Sequence, residues 1–181
     1  MEQTAATISA QLVNREIKGF RFFNLNDSYF VFEPDALWIF DTGVQIDFTD
    51  GFFSFGWNSE FDAFDYSADK TMPELQTNEL LYTVDSEETA VLDRLAGTAI
   101  TDVAFDWDYF QEYDEFAQLK DEKIYVPVGL KLTFDNGETL QLAAIRYGIN
   151  ADTKGIAKAQ YSLDGQLLAA FNKKVEIAPA H

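Results

Sequence analysis

The chain contains no cysteine, which excludes a disulfide framework, a thiolate nucleophile and cysteine ligation of a metal. It contains a single histidine, His181, the last residue of the sequence. A Ser-His-Asp or Cys-His arrangement and a histidine zinc site therefore cannot be assembled from this chain alone. No stretch approaches the roughly 20 apolar residues that a membrane helix needs. The opening residues 1–10 lack the basic region and apolar run of a secretory signal, so the expected location is the cytoplasm. Basic residues are scarce too: 13 Lys and Arg stand against 31 Asp and Glu, a formal charge of −18. Attachment to nucleic acid or to anionic lipid relies on Lys and Arg neutralising phosphates, so this balance argues against both and for a basic protein partner. No glycine-rich loop leads into a helix and no dinucleotide fingerprint is present, so no nucleotide cofactor is expected.

What the chain does have is apolar and aromatic material. An apolar fraction of 47% with 17 Phe, 8 Tyr and 3 Trp excludes disorder and suits β-structure, and 181 residues fit one domain spanning the whole chain. Period-two alternation predicts strands over 17–23, 29–32, 37–40, 44–48 and 53–57, and again over 100–107, 124–134 and 139–147. Asp50-Gly51 and Asn136-Gly137 supply hairpin turns, and Asp164-Gly165, between apolar runs at 159–163 and 167–171, reads as a third hairpin. Pro127 cannot donate to a ladder and belongs at an edge or bulge. The best helix is 86–96, with Ser86 as cap, Glu87 and Glu88 at the positive end, Val91, Leu92 and Leu95 on one face and Gly97 as the stop. A shorter helix is expected near 4–12. The fold class expected is mainly β with a minor α component: antiparallel meanders forming a sandwich or a curved sheet, with one short helix linking two halves.

The halves resemble each other. Residues 43–51 (GVQIDFTDG) align without gaps on 129–137 (GLKLTFDNG) at an offset of 86 (129 minus 43). Ile17, Phe20 and Phe22 match Ile100, Val103 and Phe105 at an offset of 83 (100 minus 17). Pseudo-repeats over 15–57 and 98–147 are expected, with Asp50 and Asn136 at equivalent turns; shared hairpin grammar is the competing explanation.

Charge is unevenly placed. From Phe22 to Asp69 there is no base, against Asp27, Glu33, Asp35, Asp41, Asp47, Asp50, Glu60, Asp62, Asp65 and Asp69. From Leu95 to Leu119 the pattern recurs with Asp102, Asp106, Asp108, Glu112, Asp114 and Glu115, whereas beyond Leu119 acids and bases balance. Carboxylates alternate with rings at 60–66 and 106–116, which would set anchoring aromatics in an anionic field. The partner-binding residues expected are Glu60, Asp62, Asp65, Tyr66, Asp69, Asp108, Tyr109, Glu112, Tyr113, Asp114 and Glu115. A half-buried strand with rings inward and acids outward writes the same string, and over 102–108 that plainer reading is preferred. Rings at Phe52, Phe53, Phe55 and Trp57 offer a homodimer surface, with core packing the stronger alternative.

Tests for chemistry find little. Asp41-Thr42-Gly43 after an apolar run resembles the aspartic-protease signature over about seven residues, but Val44 replaces the small or hydroxylated residue expected next and the second half has no matching aspartate, so a dyad would need a homodimer and a strand ending in a turn is the preferred reading. Asp62, Asp65 and Asp69, or Asp106, Asp108 and Glu112, are the carboxylates that would serve a glycosidase or a divalent cation, yet neither string has the spacing of a calcium loop. No catalytic residue, metal or cofactor is assigned.

The second-half pattern Leu95-Ala96-Gly97-Thr98-Ala99-Ile100-Thr101-Asp102-Val103-Ala104-Phe105-Asp106-Trp107, followed by 129–137, resembles the small acidic immunity proteins of bacterial polymorphic-toxin systems. The resemblance covers about a quarter of the chain and implies a protein that binds one cognate toxin and blocks its active site or substrate surface. The expected function is an immunity-type inhibitor that occludes a basic partner such as a toxin or nuclease. A DNA-mimic antagonist of a nucleic-acid-binding defence enzyme and a carboxylate-based or metal-dependent hydrolase are the alternatives.

Overall fold

The computed structural model describes residues 1–179 apart from 26–28, 61, 62, 77–80, 85, 113–115, 117 and 119. The elements in chain order are α1 (Glu2–Leu12), β1 (Ile17–Asn24), β2 (Phe30–Glu33), β3 (Leu37–Phe40), β4 (Gly43–Phe48), β5 (Gly51–Asn58), β6 (Ala63–Ser67), α2 (Met72–Leu75) and β7 (Tyr82–Thr83). A 3-10 helix, Ser86–Leu95, leads into β8 (Ile100–Phe110), β9 (Ile124–Phe134), β10 (Thr139–Ile149), β11 (Ile156–Tyr161) and β12 (Gln166–Phe171). One sheet runs β6-β5-β4-β1-β7, the other β2-β3-β12-β10-β9-β8 with β11 added to β10, and every strand pairing is antiparallel. The protein is a mainly β sandwich with little helix, as the alternation required.

The period-two side chains close the sandwich. Phe22, Val44, Ile46, Phe53 and Phe55 of the first sheet meet Trp38, Phe40, Leu130, Leu132, Leu140, Leu142 and Leu167 of the second, each no more than 1% exposed. At about 1.5–3 kcal/mol per buried large apolar side chain, this layer is the main stabilising term. The rings of Phe53 and Phe55 are in it, so neither is available for a homodimer surface. A second apolar layer lies on the outer face of the larger sheet, where Leu37, Ile39, Ala143, Ile145, Leu168 and Ala170 pack under Val175 and Ile177 of the strap 173–179. The Gln141 side-chain amide holds the strap, donating to the Val175 carbonyl at 3.3 Å and accepting from its N–H at 3.0 Å. Burial on both faces explains why β3 and β12 read as continuous apolar runs.

Two sequence expectations change. The 86–96 segment is helical but forms a 3-10 helix broken at Thr89, which has φ −118°. Asp164-Gly165 is not a hairpin turn. Ile145 pairs with both Tyr161 of β11 and Gln166 of β12, so these strands flank β10 on opposite sides and the chain between them crosses over it. Gly165 permits the crossing, because a Cβ there would stand 2.1 Å from the Ile145 carbonyl oxygen. The dipeptide looked like a turn because a tight crossover demands the same residues as a tight hairpin.

The two halves share their hydrogen-bond register. Ile17 faces Phe48, a bulge follows, and Gly19, Phe20, Arg21 and Phe22 face Asp47, Ile46, Gln45 and Val44. In the second half Ile100 faces Phe134, a bulge follows, and Asp102, Val103, Ala104 and Phe105 face Thr133, Leu132, Lys131 and Leu130, which are the same pairs displaced by 83 and 86. The likeness extends one strand further. Ser54 to Asn58 face Ser67 to Ala63 as Gln141 to Ile145 face Ala170 to Gln166. β6 and β12 are therefore counterparts at an offset of 103 (167 minus 64). Contacts between the halves are reciprocal: the Asn14 N–H donates to the Ile100 carbonyl and the Gly97 N–H to the Ile17 carbonyl, both at 2.8 Å. Reciprocity of this kind is the mark of two-fold rotation, here a pseudo-two-fold between β1-β4-β5-β6 and β8-β9-β10-β12.

Candidate functional site

The pseudo-two-fold supplies a baseline, and the departures from it are informative. Four residues, 59–62, join β5 to β6, whereas 20 residues, 146–165, join the corresponding points of β10 and β12 and contain β11 and the crossover. Between the Asp106–Gly129 pair and the chain reversal, β8 and β9 run on as a two-stranded arm, Trp107 facing Pro127 and Phe110 facing Ile124. Pro127 sits where the register shifts, beside the bulge that a residue without an N–H accommodates.

Arm, crossover and β6 converge. A cleft of about 270 Å³ is walled by Asp108 and Tyr109 of the arm and by Arg146, Tyr161, Ser162 and Asp164 around the crossover. On the crossover's other flank the Phe64 N–H of β6 donates to the Leu163 carbonyl at 2.9 Å. A second cleft of about 200 Å³ shares Asp164 and adds Asp41, Thr42, Trp57 and Gln76.

The charged groups in these walls are paired, whereas the buried Thr42 hydroxyl has no hydrogen-bond partner among the described residues. The Asp164 carboxylate accepts from the Ser162 hydroxyl and the Arg146 guanidinium, which together hold it below the usual carboxylate range despite partial burial. The Tyr161 hydroxyl donates to Asp106 at 2.6 Å, and burial, reinforced by that carboxylate, pushes its pKa well above the ordinary tyrosine value. The Tyr161 ring lies against Gly129, where a Cβ would be 3.2 Å from its edge. Asp41 donates its N–H to the Asn24 side chain at 2.7 Å and accepts from the Gln166 amide. Its neighbour Gly43 packs on Gly56, where a Cβ would come within 2.6 Å of the Gly56 Cα. The Asp-Thr-Gly string thus ends one strand and lets two backbones touch. Although Asp41 and Asp164 line one cleft, Asp164 is held ionised by its own donors, the opposite of a proton-sharing pair.

The residues expected to bind a partner fall in two places. On and around β6, Glu60 is exposed with its carboxylate 3.6 Å from the Lys70 ammonium. Asp65 is half-buried and accepts from Asn58 at 3.1 Å, and Asp69 accepts from the Ser67 hydroxyl at 2.6 Å. Tyr66 is half-buried and stacks on Phe53 with centroids 6.2 Å apart; burial and the adjacent Asp65 raise its phenol pKa. In the arm, Asp108 is buried at 7% exposure, accepting from the Tyr109 N–H at 2.8 Å. The Tyr109 ring lies 5.7 Å from Tyr125 and 3.9 Å from the Lys123 ammonium, and Glu112 pairs with Lys120 at 2.6 Å. Asp62, Tyr113, Asp114 and Glu115 lie outside the described residues. The segment 102–106 is a half-buried strand, with Val103 and Phe105 packed on the core and Asp102 and Asp106 exposed. Exposed ion pairs such as Glu60–Lys70 and Glu112–Lys120 contribute about 0–1 kcal/mol and are readily exchanged for a partner's charge.

Sequence reading missed Arg146, Tyr161, Ser162 and Asp164, which sit in the balanced part of the chain and join the site only through the crossover. Among the described residues no group of three or more His, Cys, Asp and Glu is placed to hold a metal ion, and no helix is long and apolar enough to cross a membrane. The chain matches no protein-family model, no curated protein and no solved structure.

Proposed function

We propose that the protein is an immunity-type inhibitor that occludes a basic partner, such as a toxin or nuclease, with the surface formed by β6, the β8–β9 arm and the crossover. The supporting observation is the convergence itself. Phe64, next to Asp65 and Tyr66 in one base-free stretch, bonds Leu163, and Leu163 lines one cleft with Asp108 and Tyr109 of the other. Carboxylates with interleaved rings on a chain of charge −18 steer a cationic protein inward and give it aromatic anchors once it docks. A cysteine-free chain suits this role in a reducing cytoplasm.

Titration calorimetry against the protein encoded beside its gene, at low and at raised salt, tests the reading. A stoichiometric complex whose affinity falls at least tenfold with salt, and falls again in Asp65→Asn with Asp108→Asn, is expected. Absence of heat at both salt concentrations overturns it.

A further inference from the structure

We infer that β6 is a strand acceptor: a partner inserts an extended segment antiparallel to its outer edge, with alternating cationic and apolar side chains. This inference rests on the proposed binding role and names how the partner is held.

The pseudo-two-fold carries the inference. Counterpart strands β6 and β12 pair inward in the same register, but their outer edges differ. β12 receives β3, with Leu167, Leu168, Ala169 and Ala170 facing Phe40, Ile39, Trp38 and Leu37. β6 ends its sheet, and among the described residues no strand pairs with its outer side. Its backbone is set for one. The Phe64 N–H points away from β5 and is taken by the Leu163 carbonyl, a single bond that an incoming strand has to replace, and the opposing Trp57 N–H likewise points away, to the Thr42 carbonyl. In an antiparallel ladder the outward groups alternate, so Tyr66 presents its N–H and C=O outward as well. On β12 the corresponding phase is used: the Phe171 N–H donates outward to Ala36, one ladder step beyond β3.

The side chains say the same. Phe22 of β1 is 1% exposed because Phe40 of β3 stacks on it, with centroids 4.3 Å apart. Its counterpart at the 83-residue offset is Phe105 of β8, which is only half-buried and touches Trp107 at 5.8 Å instead. The inter-sheet contacts obey the pseudo-two-fold, β6 approaching β9 as β12 approaches β4, so a strand on β6 stands to β8 as β3 stands to β1. An apolar side chain that took the place of Leu163 opposite Phe64 would thus cover Phe105, as Phe40 covers Phe22.

The other face fixes the charge. Carried over at the offset of 103, the position of Ile39 falls opposite Asp65 and that of Leu37 opposite Ser67, two residues from Asp69. Directly opposed opposite charges stabilise a pair of strands. The occupant is therefore a segment reading cationic, apolar, cationic, apolar, where β3 reads Leu-Trp-Ile-Phe. Main-chain bonds supply affinity and the alternate side chains supply selectivity.

The test uses the full-length protein and the capped peptide Gly-Ser-Lys-Trp-Lys-Phe-Ser-Gly, followed by amide NMR. Saturable shifts over residues 63–67 and 105, slowed exchange of the Tyr66 amide, at least tenfold weaker binding of a peptide N-methylated on its ladder-facing amides, and at least fivefold weaker binding to Phe105→Ala, measured at a temperature where that variant is fully folded and its dispersed amide spectrum is retained, are expected. If the N-methylated peptide binds equally and Phe105→Ala has no effect, attraction is electrostatic only: strand addition is overturned while the acidic-surface role stands. No binding of the peptide at millimolar concentration also overturns strand addition, and leaves the inhibitor reading to the calorimetric titration.

Discussion

Glu16 and Ala99 face each other in an isolated antiparallel bridge, and each is the other's counterpart at the 83-residue offset. The bridge lies at the pseudo-two-fold, and backbone contacts beside it come as twins: Thr49 N–H to the Glu16 carbonyl at 3.2 Å, Asp135 N–H to the Ala99 carbonyl at 2.9 Å. The two hairpin turns containing Asp50 and Asn136 are anchored in the same way to the chain just ahead of β1 and β8.

The approach to that bridge is also twinned in its backbone. Asn14 has φ +63° and its counterpart Gly97 has φ +81°. A Cβ at Gly97 would meet nothing within 4 Å, so Gly97→Ala isolates the cost of left-handed backbone, about 1 kcal/mol. Asn14→Gly, by contrast, should change stability by no more than a few tenths of a kcal/mol. Urea unfolding of both variants checks the asymmetry.

Gly165 is constrained by space. Gly165→Ala would set a methyl group against the Ile145 carbonyl, which is backbone and cannot turn aside. A loss of about 3 kcal/mol is expected, as for severe overpacking, together with displacement of Asp164 and Ser162. Chemical denaturation reads the first, and loss of the Asp65- and Asp108-dependent binding the second.

Phe40 and Phe105 separate core from candidate site. Phe40→Ala opens the centre of the sandwich and should cost about 3–5 kcal/mol. Phe105→Ala removes a half-buried ring and should cost about 1–2 kcal/mol. Equal losses in thermal or urea unfolding would mean that the Phe105 ring is as deeply buried as the Phe40 ring.

Two pH limbs follow from the directions of the shifts. The Asp164 pKa is lower folded than unfolded, so its contribution is present at neutral pH and is lost as pH falls through the acid range below about 4. The stability gap between wild type and Asp164→Asn should shrink there. Tyr161 shifts the other way: its raised pKa makes its contribution complete below about pH 10 and lost progressively above it, because the unfolded phenol ionises first. Melting temperature against pH should fall less steeply above pH 10 in Tyr161→Phe, with a residual slope from the similarly raised Tyr66 and Tyr147.

Much of the fold was legible because period-two alternation is a local signal. Leu37–Phe40 and Ile124–Phe134 form strands with the boundaries that periodicity assigned, and Gly51 and Gly137 sit at positive φ in turns read from Asp-Gly and Asn-Gly. β6 was harder, since Ala63–Ser67 mixes rings with carboxylates and reads equally as a surface string. The chemistry around Asp164 was not legible at all: Arg146 is 18 residues away, and Tyr161 is 55 residues from the Asp106 it bonds.

Composition and alternation by themselves determined a cysteine-free, acidic, antiparallel β protein with its carboxylates in two base-free stretches, because those properties depend on residue type and on nearest neighbours along the chain. Tertiary structure alone decided that β11 and β12 straddle β10, that Phe22 is covered while Phe105 is half-covered, and that the two acidic stretches meet at Leu163. Each of these depends on which strand lies beside which across tens of residues, and hydrogen-bond register between distant strands is set by packing of the whole sandwich, a quantity no local pattern encodes.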